Sequence, residues 1–324
     1  MRRLITILLL FALIALGHPM QILILHKGAS SLGFYTSKGV HEVSVPTGKH
    51  PHEMVLSPDG RLLYCTDNGT MTIEQVAEGG NTLSIMDIHS RERVGEIPLG
   101  KYRRPHGIDL DPKTGLVYVS TELPDQLLVV DPTKREVVKT YETKGKTAHM
   151  VKLGPEAKWA YVSNSNSKTV SAINLASREV KLIPTGERPE GSALSPDGKL
   201  LYVVNREAAQ ITVIVTATQS AVGAIRTGKG PVRVGVTPDG GTVVYALMHD
   251  QAMGFADAKT RKELATVALG GNPVSLHLSP DGRFAFASAQ DIQTVYVVSV
   301  AERKVAHEIR TADDMFPDAV MVVH

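Results

Sequence analysis

"RRPHGIDLDP", Arg103–Pro112, is echoed by "KHPHEMVLSP" at Lys49–Pro58 and by "KTAHMVKLGP" at Lys146–Pro155. All three copies carry a histidine in the same slot: His106, His52 and His149. Followed along the chain in degenerate form, the slot holds His52, His106, His149, Glu190, Val232, Val274 and Asp318. After the first interval the spacing is 41–44 residues. The first interval is 54 because "GTMTIEQVAEGGN", Gly69–Asn81, is inserted there.

A turn follows each of the first six slots. "SPDG" occurs at Ser57–Gly60, Ser195–Gly198 and Ser279–Gly282, and "TPDG" at Thr237–Gly240; "DPKTG" at Asp111–Gly115 and "GPEAK" at Gly154–Lys158 are looser versions. Proline in the second position and glycine in the fourth suit a type I turn joining two strands. Runs such as "RLLYCT", "LVYVST", "WAYVSN" and "LLYVVN" come next, then "LSIMD", "LLVVD" or "VSAIN", then a fourth run such as "EVVKTYET". They are short, rich in Val, Ile and Tyr, and separated by turn residues, with no long helical periodicity. Four strands per repeat at this period predict an all-β, seven-bladed β-propeller with four-stranded antiparallel blades.

The count of strands closes the ring. Asp318–His324 supplies one strand, and "QILILHKG", "SLGFYT" and "VHEVSVP" near the other end supply three. One C-terminal strand plus three N-terminal strands make the seventh blade and remove an open seam. Tyr64, Tyr118, Tyr161, Tyr202 and Tyr245 recur in the second strand and read as packing, as does Trp159. Asn68-Gly69-Thr70 is a formal glycosylation sequon, but Asn-Gly reads first as a turn.

The segment "AYVSNSNSKTVSAINLASREVKLIPTGERPEGSALSPDGKLLYVVN", Ala160–Asn205, resembles the YVTN-repeat β-propeller family, and the likeness extends over nearly all of the chain after its first residues. The resemblance implies an exported or cell-surface protein and no single shared activity. Related seven-bladed propellers include lactonases, a streptogramin lyase, quinoprotein amine dehydrogenase subunits and nitrous oxide reductase, and fold alone does not choose among them.

The beginning of the chain agrees with export. Arg2 and Arg3 precede Leu4–Leu16, a 13-residue run dominated by apolar side chains, and Ala15 and Gly17 are small residues ahead of a cut before His18. This is the pattern of a signal peptide over residues 1–17, with the propeller domain spanning 18–324. An uncleaved anchor is the alternative; no other stretch is long and apolar enough to span a bilayer. A periplasmic, secreted or cell-surface location is expected. The single cysteine, Cys65, allows neither an internal disulfide nor a Cys-based metal motif. Lysine plus arginine number 35 against 33 aspartate plus glutamate; without Arg2 and Arg3 the two balance. That argues against broad electrostatic capture of nucleic acid or acidic membranes.

The slot is the chemical lead. In a propeller the first strand of each blade lines the central channel, so the slots form a ring at one mouth. Asp318, His52, His106, His149 and Glu190 are neighbours on that ring, and Val232 and Val274 complete it. Three imidazoles and two carboxylates on one arc are a candidate set for one divalent ion such as Zn, Fe, Mn or Cu. Without metal the same groups form an acid–base cluster; the plain alternative is a polar, water-filled mouth. His26, Asp67, Glu122, Asn164, Asn205, Arg206 and His249 form a second tier, with Arg206 a candidate either for a ligand's carboxylate or phosphate or for a surface ion pair. Glu53 and Arg233 follow the slot and point either into the channel or into blade packing. His50 is a reserve ligand, and His277 reads as packed. His41, His89, His307 and His324 fall away from the mouth, and His18 becomes a copper-binding N-terminus only if the cut precedes it. Residues 69–81 leave from the mouth face and read as a lid over it, with a tolerated loop as the alternative.

Two functions follow. The first is a binding module that takes a small molecule or a protein at the mouth. The second is a metal-assisted hydrolase, lactonase or lyase using His52, His106, His149, Glu190 and Arg206. Redox chemistry has less support, because the chain lacks a CxxCH haem motif. Four of the seven slots are not histidine, which departs from the all-histidine copper cluster of nitrous oxide reductase.

Overall fold

A computed structural model describes residues 20–323. The signal-peptide reading over 1–17, His18 and His324 lies outside the described residues. The ring contains seven sheets of four antiparallel strands each. Six blades run in order from the innermost strand outward; the first has strands Pro51–Leu56, Leu62–Asp67, Thr82–Asp87 and Glu92–Pro98. The seventh is composite. Its innermost strand is Pro317–Val323, followed by Gln21–His26, Ser31–Thr36 and His41–Pro46. Val323 pairs with Gln21, Val322 with Ile22 and Met321 with Leu23, so the chain's two ends share one sheet and the ring has no free edge there.

Burial explains the strand compositions. The second and third strands are buried on both faces, because each sheet is covered by the blade on either side. They therefore read as continuous apolar runs, such as Leu200–Asn205 and Gln210–Val215, instead of alternating. Outermost strands are mostly exposed, and those of blades one, three, four and six each bury a single isoleucine near their end: Ile97, Ile183, Ile225 and Ile309. The repeated tyrosines are at most 7% exposed, and their rings fill the space between blades. The SPDG turns are held by their own side chains: Ser57 Oγ donates to Asp59 and accepts the Leu62 N–H. Asn68 is fully buried and its side-chain amide donates to the Pro105 carbonyl, so the sequon is part of the packed turn.

One local feature builds the mouth. In blades one to five the pairing of the innermost strand slips at the slot: between Pro51 and Met54, Pro105 and Ile108, Ala148 and Val151, Pro189 and Ser192, and Pro231 and Arg233. A bulge leaves residues out of the ladder and re-aims their side chains. It turns the slot residue and the one after it toward the channel. Proline precedes the slot in six blades, Ala148 being the exception. It costs nothing there, because the innermost strand is an edge whose outward N–H groups find no partner strand. No helix among the described residues is long and apolar enough to cross a membrane.

Candidate functional site

The bulged slots converge on a cavity of about 190 Å³ at one mouth of the channel. It is lined by His52, His106, His149, Glu190 and Asp318, by Arg206, Lys27 and Arg233, and by residues 71–74 of the insertion. All five polar slot residues are 3–4% exposed. The structure thus brings the predicted ring together, but its members are engaged differently.

The histidines form a chain of contacts. His106 and His149 are in close contact, ring centroids 3.7 Å apart and planes tilted by 41°, and His52 meets His106 edge-on at 4.6 Å. His52 Nε2 lies 2.8 Å from the Thr70 carbonyl, which can only accept, so Nε2 carries the proton. Its Nδ1 is therefore bare in the neutral ring, and it faces His106 Nε2 at 3.3 Å. His106 Nδ1 lies 2.9 Å from Glu122 Oε1 and donates to that carboxylate. In a neutral His106 ring, Nε2 is then bare as well, and two lone pairs oppose one another across 3.3 Å. His149 Nδ1 is buried with no hydrogen-bond partner. Burial, with Lys27 and His106 adding to it, pushes the His52 pKa well below the usual histidine range. Burial, followed by His106 and Arg233, does the same for His149. Both are held as neutral imidazole, the form that donates a lone pair to a metal.

Among the described residues, His106, Glu122 and His149 form a group whose possible ligand atoms all lie within 4.8 Å of one another. Glu122 belongs to the second strand of blade two, Val117–Leu123, and its other oxygen lies 2.7 Å from Arg104 Nε. That contact is close, yet Arg104 Nε makes no aligned hydrogen bond, so it acts by charge. Glu122 is therefore held on one side by a cation while it orients His106 on the other.

The remaining slot carboxylates are paired with cations. Asp318 Oδ2 is 2.6 Å from Lys27 Nζ, both side chains being buried. Glu190 Oε1 lies 3.2 Å from Arg206 Nη1. Burial raises the Glu190 pKa, against the pull of Arg206 and Arg233. Glu53 and Arg233 reach across the channel from opposite blades and meet at 2.8 Å, which floors the cavity. Gly191 makes room for that arginine: a Cβ there would stand 2.9 Å from Arg233 Cα and 2.7 Å from the Val232 carbonyl.

Residues 69–81 lie over the mouth. Glu74 Oε1 contacts Arg188 Nη2 and, at 3.0 Å, Arg206 Nη2. Burial opposes its ionisation, but Arg206 and Arg188 hold its pKa below the usual range. His50, named as a reserve, is turned away: its Nδ1 bonds the Lys27 carbonyl. His277 Nε2 accepts the Val322 N–H in the channel wall. Lys27, Arg104 and Glu74 were not singled out from the sequence. Their only signal was adjacency, to His26, to the His106 phrase and to the inserted loop.

The model of the family described as lactonase, seven-bladed beta-propeller, matches residues 27–237, more than half of the chain. This chain belongs to that family. Among curated proteins it is similar to hydrazine synthase subunit beta of Kuenenia stuttgartiensis, 25% identical over 175 residues. That match covers 51% of this chain and 41% of the relative, so the chain spans about two fifths of the relative it matches. Solved structures give the same fold. A functionally unknown protein from Desulfotomaculum acetoxidans DSM 771 aligns with a TM-score of 0.78 at 15% identity, over 94% of this chain and 99% of that one. Kuenenia stuttgartiensis hydrazine synthase aligns with 0.68 at 19%, over 81% and 86%. Dihydro-heme d1 dehydrogenase NirN in complex with DHE aligns with 0.67 at 15%, over 90% and 64%. At these identities the likeness is one of architecture, and the lactonase family model is coarser than the YVTN-repeat resemblance read from the sequence.

Proposed function

We propose that this is an exported, YVTN-type member of the lactonase propeller family whose channel mouth binds one divalent metal ion and, on it, a small ligand. The observation that carries the reading is the approach of His52 Nδ1, bare in the neutral ring, to His106 Nε2 at 3.3 Å. Two imidazoles on one tetrahedral ion with ~2.0–2.1 Å bonds stand about 3.3 Å apart. With both rings neutral, an ion held by the two nitrogens relieves their opposed lone pairs, and the partnerless His149 Nδ1 lies on the ring packed at a tilt against His106. Glu122 then serves as the carboxylate that orients a metal-bound histidine. Asp318 and Glu190 are proposed to balance Lys27 and Arg206 instead of ligating. A bound ion supplies a Lewis acid and an activated water, which is the basis of the hydrolase, lactonase or lyase alternative.

The test is metal content by elemental analysis of protein purified without chelator or metal-affinity tag. About one Zn, Fe, Mn or Cu per chain is expected, with loss in a His52→Ala/His106→Ala/His149→Ala variant that keeps the same circular dichroism. No metal in either protein after reconstitution overturns the reading and leaves a proton as the occupant of the gap. Turnover of a lactone panel by the loaded protein separates the enzyme from the binding module.

A further inference from the structure

The strap over the mouth holds a carboxylate in an arginine clamp. Glu74, midway along residues 69–81, places one oxygen against both Arg188 and Arg206. These arginines belong to the far side of the ring, 114 and 132 residues further along the chain. Arg206 also contacts Glu190 at 3.2 Å and Glu207 at 3.1 Å, and Arg188 contacts Asn166 Oδ1 at 3.3 Å. The clamp is not fully satisfied. Arg188 Nε and Glu190 Oε1, although 3.6 Å apart, are both buried and without an aligned hydrogen bond. A planar ligand carboxylate taking the place of the Glu74 oxygen across the two guanidinium groups, on the side away from Glu190, finds in Arg188 Nε a donor that the strap's single oxygen leaves unused.

The rest of the strap is built to come away as a unit. Its two legs meet at a neck where a Cβ on Gly69, at φ +82°, would stand 2.1 Å from the Gly80 nitrogen. Between the legs it has no strand pairing, and residues 74–78 are exposed. Val76 at the tip is fully exposed. Beyond the Glu74 contacts, it is tied to the ring by the Arg103–Glu78 ion pair at 3.5 Å and by side chains reaching its backbone: His52 to the Thr70 carbonyl at 2.8 Å at the base of the strap, Arg104 to the Ile73 and Gln75 carbonyls at 3.0 Å, and Lys27 to the Met71 carbonyl at 3.4 Å. A segment without strand pairing, exposed over residues 74–78 and held at its outer part by side-chain ties, opens locally at lower cost than the sheets beneath it.

We propose that residues 69–81 are a strap latched by Glu74, which acts as a tethered stand-in for the carboxylate of an incoming ligand. The ligand class is a small carboxylate, and its entry displaces Glu74 from Arg188 and Arg206. This rests on the reading that the mouth binds a ligand, but not on the metal.

The experiment compares wild type, Glu74→Gln and Glu74→Gln/Arg206→Lys. Deuterium exchange of the 70–78 amides and calorimetric titration with acetate, with sulfate as a non-planar control, are the readouts. In Glu74→Gln the strap amides are expected to exchange several-fold faster, and acetate to bind about tenfold tighter, because the tethered competitor is gone. Arg206→Lys in that background should remove the gain, since a lysine offers charge without the fork. In wild type, saturating acetate should speed strap exchange. Unchanged exchange and unchanged acetate affinity in Glu74→Gln overturn the proposal, as does a sulfate response equal to the acetate response. Elemental analysis of the same preparations keeps the two readings apart: metal without a latch sinks only this inference, and a latch without metal sinks only the metal site.

Discussion

The Glu53–Arg233 pair is where the site's electrostatics are most exposed to test. It joins blade one to blade five across the channel at 2.8 Å, with side chains 16% and 12% exposed. At that separation the gross attraction is about 6 kcal/mol for an effective dielectric near 20. Desolvation of the two ions offsets most of it, so the intact pair contributes little net stability. Removing one partner is different, because the other keeps its desolvation cost without compensation. Arg233→Met strands Glu53 beside the cavity and should cost about 3 kcal/mol. Glu53→Gln should cost less, about 2 kcal/mol, because Arg233 is still stabilised by Asp318 and Glu190. The double variant should cost less than the sum, with a coupling of roughly 1.5 kcal/mol. Urea unfolding at pH 7 measures all three. A neutral Glu53→Gln, or a double variant that is additive within about 0.5 kcal/mol, would refute the account of the pair as the cavity floor.

Two further outcomes follow from the same geometry. Glu122→Gln keeps the shape of the side chain but removes the charge that orients His106 and neutralises Arg104; metal affinity by competition titration should fall roughly 10–100-fold while the fold is retained, and an unchanged affinity would place Glu122 outside the site. His26, 1% exposed and bonded to Ser31 and Tyr35, has its pKa lowered to about 4, by burial first and His41 second. The folded state therefore disfavours the imidazolium: its contribution is complete above pH 6.5, the unfolded value, and is lost as pH falls toward 4. Wild type should lose up to about 3 kcal/mol more than His26→Gln between pH 7 and pH 4, and parallel urea midpoints for the two proteins would contradict this.

The sequence by itself determined the ring. A slot recurring every 41–44 residues, four short strands per period and one strand left over at the C-terminus leave a seven-bladed, terminally closed propeller as the arrangement that pairs every strand. It also determined that His52, His106 and His149 share one mouth, because equivalent positions in a repeat are equivalent positions on a ring. What the repeat could not specify is what each side chain touches once it arrives there. The bulge at the slot turns Glu53 and Arg233 into the channel along with the slot residues, and the pairing with Asp318 and Glu190 goes to Lys27 and Arg206. Glu122 reaches His106 from a neighbouring strand, while Glu74 reaches Arg206 from 132 residues away. These contacts break the repeat's symmetry and join residues far apart in the chain. They depend on side-chain direction and on the width of the channel, which only the closed ring sets.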